Sequence, residues 1–279
     1  MIKIITIIGA RPQFVKVAAV SRAFNQYHGS NIKEILLHTG QHYDENMAKV
    51  FFDELDIPLP KYNLGISGGN HGFMTGRMLE AIEIILVKEK PDWVLVFGDT
   101  NSTLGGALAA AKLHIPIAHV EAGLRSFNMR MPEEINRILV DRISTLLLCP
   151  TDNSVSNLQK EGITKGVYNL GDVMFDIAMS YHERSRSQSD CLKKMALQKG
   201  NFALATCHRE ENTDNPENLC NIAVALGKIA EIIPVIMPLH PRTRKKLINY
   251  GITDKLGKVK ITEPLSFFDM INLEQAAKI

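Results

Sequence analysis

The 279-residue chain is poor in several things that would announce a function. It has only four cysteines, and none forms a C-x-x-C pair. That spacing gives no reason to expect a zinc ribbon or a dithiol redox centre. Charge of one sign is also lacking: 32 basic residues against 30 acidic ones leave +2, with no lysine–arginine stripe to follow a nucleic acid. No apolar run approaches the ~18 residues of a membrane span. The apolar opening "MIKIITIIGARP" is short and has no small-residue cleavage site after it, so it reads as a first strand. Neither G-x-G-x-x-G nor the Walker sequence occurs after that strand. These absences argue against metal, nucleic acid and membrane, and leave the cytoplasm as the expected compartment.

What the chain does have is alternation. Short runs such as "KIITIIG", "KEILLHTG", "DWVLVFGD", "PIAHVEAG" and "TLLLCPT" are apolar on both faces, and helical patterns separate them. Such strands suit a parallel sheet covered on both sides. The series predicts an α/β chain with two Rossmann-like domains, 1–170 and 171–279. A more polar helical stretch after Gly171 reads as a connector. Amphipathic patterns over 44–55 and 72–89 read as helices. The second domain has about three strands, then a helix and the first residue or two of another. An incomplete C-terminus is therefore expected.

In open α/β sheets ligands sit beyond the carboxyl ends of the strands. Arg11 and Lys16 follow the first strand near a helix start that favours anions. Gln41 and His42 follow the second. Asp99 ends "DWVLVFGD", where it either caps the next helix or faces a ligand. Glu121 lies inside an apolar run, where an unpaired carboxylate is expensive, and Arg125 is its nearest partner in sequence. Glu133 and Glu134 open a helix at "PEEINR"; first-turn acids often merely complement the helix dipole, which would suffice for Glu133 taken alone, and the ordinary reading of a polar segment accounts for Glu134. In the second domain His208 and Arg209 follow one strand, and His240 with Arg242 and Arg244 follows the next. Phosphate recognition suits those histidines and arginines better than a metal does.

Taken together, "GARPQFVK", "TGQH", "FGDTNSTLGGALAA", "HVEAGLRS", "PEEINR", "NLGDVMFD" and "HREEN" resemble the non-hydrolysing UDP-N-acetylglucosamine 2-epimerase family. The resemblance runs in order along the chain. It implies a glycosyltransferase-B-like arrangement, a UDP-sugar held between the domains, no cofactor, and a homodimer in the bacterial cytoplasm. It implies inversion at C2 of UDP-GlcNAc, giving UDP-ManNAc, by elimination of UDP to a 2-acetamidoglucal and re-addition. Asp99, Glu121, Glu133 and His208 match its catalytic positions. Arg11 and Lys16 match its basic pair, and Leu265 and Met270 its uracil contacts.

Departures qualify that expectation. A diphosphate loop that the family places soon after the position of Ile279 is missing, so weak UDP binding and low turnover are expected, down to a non-catalytic UDP-sugar binder. Asp44 replaces a glutamine of the allosteric site of regulated members. The cation Arg130 suits the branch acting on UDP-2,3-diacetamido-2,3-dideoxyglucuronate, whose carboxylate Arg130 or Arg125 would meet. A hydrolysing relative and a glycosyltransferase of the same architecture fit the acidic set less well.

Overall fold

The computed structural model describes residues 1–41 and 55–279, apart from the side chains of residues 11, 182–188, 210 and 211. The expected helix over 44–55, together with His42 and Asp44, falls largely or wholly outside the described residues. The chain divides into two compact units, Met1–Met179 and Ser180–Ile279. Each is built on its own parallel sheet, as the α/β alternation predicts.

The first unit contains β1 (Ile2–Ile8), β2 (Ile32–His38), β3 (Tyr62–Asn63), β4 (Trp93–Phe97), β5 (Ile117–Val120), β6 (Leu146–Cys149) and β7 (Val167–Asn169). They form one sheet in the order β3-β2-β1-β4-β5-β6-β7. Helices α1 (Arg11–His28), α2 (His71–Glu89), α3 (Asn101–Lys112), α4 (Pro132–Ile143) and α5 (Asp152–Lys160) connect them. All of β5, and β4 after Trp93, is buried, which is why these strands read as unbroken apolar runs. Ile5, Ile7, Val94 and Val96 pack against Met78 and Ile82 of α2 and Leu104 and Ala107 of α3. The strand order turns back between β1 and β4. Loops leaving adjacent strands toward opposite sides open a crevice at that switch point.

The second unit holds β8 (Ala203–Leu204), β9 (Val235–Pro238) and β10 (Lys260–Thr262), in the order β10-β9-β8. Helix α6 (Val173–Gln188) runs into it from the first unit, and α7 (Cys191–Lys194), α8 (Glu210–Thr213), α9 (Pro216–Ala230), α10 (Pro241–Asn249) and α11 (Phe267–Ala276) follow. Asn215 caps α9 by accepting from the Glu217 and Asn218 N–H groups, with Pro216 at the first position. Leu219, Val235, Met237 and Leu247 form one side of the core, and Phe202, Ile236 and Leu273 the other. After α11, Lys278 N–H donates to the Phe202 carbonyl (2.8 Å) and Leu204 N–H to that of Ile279 (2.9 Å). These are the first pairings of extended chain that the sequence suggests there.

The polar stretch after Gly171 is more than a connector. Tyr181 is fully buried, its ring 5.8 Å from Phe267 and 5.5 Å from Phe268, and Cys191 is buried as well. A few apolar residues on one face suffice to dock a helix whose composition is polar.

Gly227, inside α9, gives a test of this packing. Alanine normally favours a helix interior over glycine by about 1 kcal/mol. Here a Cβ would lie 2.4 Å from the Lys255 carbonyl oxygen. Gly227→Ala is expected to lower the melting temperature in thermal denaturation followed by circular dichroism; an increase would show that α9 can shift away.

Candidate active site

The ends of β1, β4 and β5 converge on one polar cluster. Helix α1 starts directly after the first turn, with Pro12 in its opening positions. Gln13 is buried and fastens that turn: its side-chain oxygen accepts from Gly9 N–H (2.8 Å) and Ala10 N–H (3.0 Å). Its amide nitrogen donates to the Phe97 carbonyl (2.8 Å) and to Thr103 Oγ1 (3.0 Å). The turns after β1 and β4 are thereby tied to each other. The donating half of that side chain belongs to an amide and not to an ionised carboxylate.

One turn into α1, Lys16 forms an ion pair with Glu121, and both side chains are only 12% exposed. The nearest cation in sequence, Arg125, is not the partner; the parallel sheet brings α1 and the end of β5 together instead. Glu121 adopts a left-handed backbone with φ 69°. A non-glycine residue held in that region costs on the order of 1–3 kcal/mol, and such strain gathers at functional sites. Gly98 lies against the pair: a Cβ there would sit 3.2 Å from Glu121 Oε2 and 3.5 Å from Lys16 Nζ.

Asp99 follows Gly98. Capping of α3 falls to Thr100, whose side chain accepts from Thr103 N–H, so the Asp99 carboxylate is left for other work. It accepts from Arg137 Nη2 at 2.5 Å, and Asn136 Nδ2 holds its backbone carbonyl at 2.8 Å. Arg137 also reaches Glu134 at 2.8 Å. This arginine was missed in the sequence, although its position one turn after Glu133 and Glu134 in "PEEINR" was a usable signal.

Glu134 is a correction to the ordinary polar-segment reading. It is 1% exposed and accepts from Ser126 N–H (2.9 Å), Phe127 N–H (2.8 Å) and Arg137. Burial pushes its carboxyl up, but those donors outweigh burial and hold it below the usual range. Glu133, in the first turn of the same helix, is half-buried and makes no hydrogen bond or ion pair among the described residues.

Arg125 does not join the cluster as a ligand-facing cation. Its side chain is 1% exposed and its guanidinium is committed to Glu161 (2.7 and 2.8 Å), Asp141 (2.7 Å) and the Leu124 carbonyl (2.7 Å). Arg130 is exposed on the loop before α4, its N–H bonded to Asn128 Oδ1 at 3.1 Å. Gln41 accepts from the Ser102 hydroxyl (2.9 Å) and N–H (3.2 Å), beside the start of α3. Arg11 opens α1, and its side chain lies outside the described residues.

In the second unit, His208 and Arg209 are exposed in the turn between β8 and α8. His240 is the N-cap of α10, with Nδ1 accepting from Arg242 N–H at 3.2 Å. Arg242 and Arg244 pair with Asp214 and Glu263, both at 2.7 Å. Leu265 packs beside Phe202 and Leu273, and Met270 is half-buried on α11. Among the described residues no group of three His, Cys, Asp or Glu side chains is placed to hold a metal ion. No described helix is long and apolar enough to cross a membrane.

A family model described as UDP-N-acetylglucosamine 2-epimerase matches residues 25–279. The chain belongs to this family. It is 52% identical to the UDP-2,3-diacetamido-2,3-dideoxy-D-glucuronate 2-epimerase of Pseudomonas aeruginosa, over 98% of this chain and 75% of that one. It is 51% identical to a UDP-N-acetylglucosamine 2-epimerase homolog of Methanococcus maripaludis, over 99% of this chain and 77% of that one. The crystal structure of Methanocaldococcus jannaschii UDP-GlcNAc 2-epimerase in complex with UDP-GlcNAc and UDP superposes with a TM-score of 0.88 at 43% identity, covering 100% of this chain and 77% of that one. Within this epimerase fold, the acidic and basic residues at the β1, β4 and β5 ends form two bonded groups, Lys16 with Glu121 and Arg137 with Asp99 and Glu134.

The Glu134 arrangement is testable through pH. Glutamine at 134 would place an N–H₂ group against backbone N–H or guanidinium donors. Glu134→Gln is expected to cost about 2 kcal/mol at pH 7 in urea denaturation. Because the folded-state carboxyl is held down, this contribution is full above the unfolded value of about 4.3 and fades as pH falls below it. A wild-type advantage that stays constant down to pH 3 would contradict the assignment.

Proposed function

We propose that this protein is a non-hydrolysing UDP-N-acetylglucosamine 2-epimerase, interconverting UDP-GlcNAc and UDP-ManNAc. The observation that carries the reading is the pairing at the strand switch point. Glu121 is held by Lys16 and Asp99 by Arg137, in a chain of the epimerase family.

The chemistry explains why such a set is useful. The C2 proton is not acidic in the ground state. As the C1–O bond breaks, its electron pair leaves on the UDP oxygen and positive charge builds on the ring. A base then takes the C2 proton and the C1–C2 double bond forms. For return, a proton is delivered to the opposite face of C2 and the UDP oxygen adds to C1. Carboxylates fixed before the reaction stabilise the ring charge without reorganising. Asp99 and Glu121, each locked to a cation, suit that part. Glu133, free of such a lock among the described residues, suits proton transfer. Lys16 and Arg11 sit at a helix start suited to the departing diphosphate. His208 is assigned to catalysis, Arg209 and His240 to the diphosphate as well, Leu265 and Met270 to uracil, and Gln41 and His42 to substrate contacts.

A second reading is favoured by one observation. The 52% identity to the diacetamido-glucuronate epimerase equals or exceeds that to the GlcNAc-named relatives. With Arg125 committed to carboxylates, Arg130 is the cation assigned to a uronate. We further infer a homodimer in the cytoplasm serving polysaccharide synthesis. The free thiols of all four cysteines support the compartment.

Incubation with UDP-GlcNAc in D₂O, followed by proton NMR, should show UDP-ManNAc with deuterium at C2. Recovery of free sugar and UDP instead would sink the non-hydrolysing reading. Glu121→Gln and Glu133→Gln should each lower kcat by roughly 10²–10⁴-fold. Arg130→Ala should impair a UDP-diacetamido-uronate at least about tenfold more than UDP-GlcNAc; equal effects would remove Arg130 from substrate choice.

A further inference from the structure

Behind the acidic cluster lies a histidine that the reaction scheme does not use. His119, on β5, is completely buried. Its Nδ1 is 2.7 Å from Asp141 Oδ1 of α4, and its Nε2 is 2.7 Å from the Gly98 carbonyl oxygen. A carbonyl oxygen only accepts. Asp141 Oδ2 already accepts from Gly123 N–H at 3.1 Å and from the Arg125 guanidinium at 2.7 Å; burial raises this carboxyl, but the His119 and Arg125 contacts outweigh it and hold it below the usual range, so it is ionised and acceptor-only. Both ring nitrogens thus face acceptors, and both bonds are made only when both nitrogens carry hydrogen.

Charge balance points the same way. Around His119 stand Asp141 from α4, Arg125 from the loop after β5, and Glu161 beyond α5, which shares that arginine. Two carboxylates and one guanidinium leave one net negative charge, carried in part by Glu161, whose side chain is 29% exposed, and an imidazolium would complete the balance. Cys149 of β6 adds no charge: burial first, and the Asp141 carboxylate second, push its thiol up to about 11. Asp99 and Glu121 face Arg137 and Lys16 instead.

We propose that His119 is a buried imidazolium that acts as a positioning residue, donating from Nδ1 to Asp141 and from Nε2 to the Gly98 carbonyl, and so fixing the turn that presents Asp99. Gly98 has φ 62° and packs against the Lys16–Glu121 pair. One side chain therefore connects the turn carrying Asp99, the strand leading to Glu121, and α4, which supplies Arg137. The consequence for catalysis rests on the epimerase reading; the protonation state and the hold on the turn do not.

Three measurements on the full chain separate these levels. In ¹⁵N-histidine-labelled protein at pH 7.5, the resonances lost in His119→Gln should show two protonated ring nitrogens; a neutral tautomer would overturn the proposal. Hydrogen exchange of the peptide spanning Gly98–Thr100 should rise at least about tenfold in His119→Gln, with β1 unchanged. Unchanged exchange there would also overturn it. In the UDP-GlcNAc assay, His119→Gln should lower kcat about 100-fold, the scale of an ångström-level misplacement, with KM within threefold. A variant with wild-type kcat, or with the loss wholly in KM, overturns the positioning role. An inactive wild-type chain with the first two results as expected refutes turnover by this chain, and with it the catalytic consequence, and upholds the imidazolium and its hold on the turn.

Discussion

The carboxylate of Asp141 has no exposed surface, and the segment from β5 to α4 is arranged around that fact. A buried carboxylate must collect donors or give up its charge. Asp141 collects them from three places in one stretch of chain: the His119 ring, the Gly123 N–H and the Arg125 guanidinium. Meeting those contacts while leaving a strand requires an abrupt reversal. Glu121 takes a left-handed backbone, and Gly123 does so with φ 79°, where a Cβ would lie 2.3 Å from the Ser154 carbonyl oxygen. The reversal carries the Glu121 side chain onto Lys16. A structural demand two residues to either side therefore places a candidate catalytic group.

The same economy appears on the other side of the crevice. Gln13 ties the turn after β1 to that after β4, and Thr100 takes over the cap of α3. Asp99 is left free to pair with Arg137. Arg137 in turn shares Glu134 with the backbone of the following loop. Charges that look redundant in "HVEAGLRSFNMRMPEEINR" separate into two kinds. Arg125 and Glu134 are buried framework, together with Asp141 further along the chain, and the partly exposed Glu161 completes the grip on Arg125. Glu121 and Glu133, with Asp99 from the end of β4, are partly exposed and differ in their partners.

That separation marks where sequence reading succeeded and where it fell short. Strand positions were legible because a sheet covered on both faces selects continuous apolar runs. Asp99 and Glu121 were legible because carboxylates at the ends of such runs are costly. Arg125 was misread as a substrate cation and as the partner of Glu121, because proximity along the chain says little about proximity across a parallel sheet. Glu134 looked like an ordinary first-turn acid, since dipole complement and buried clamp share one sequence pattern. Tyr181 was hidden in a polar helix, and its burial depends on Phe267 and Phe268, far along the chain.

The sequence by itself determined the α/β class, the family, and the residue types gathered at the strand ends. Periodicity and local motifs encode these, because each is settled within a few residues of chain. Only the tertiary structure decided which cation answers which carboxylate. Lys16 meets Glu121 across 105 positions, and Arg137 meets Asp99 across 38. Such pairings are fixed by the strand order and by the desolvation of each group, and neither quantity is written in local spacing.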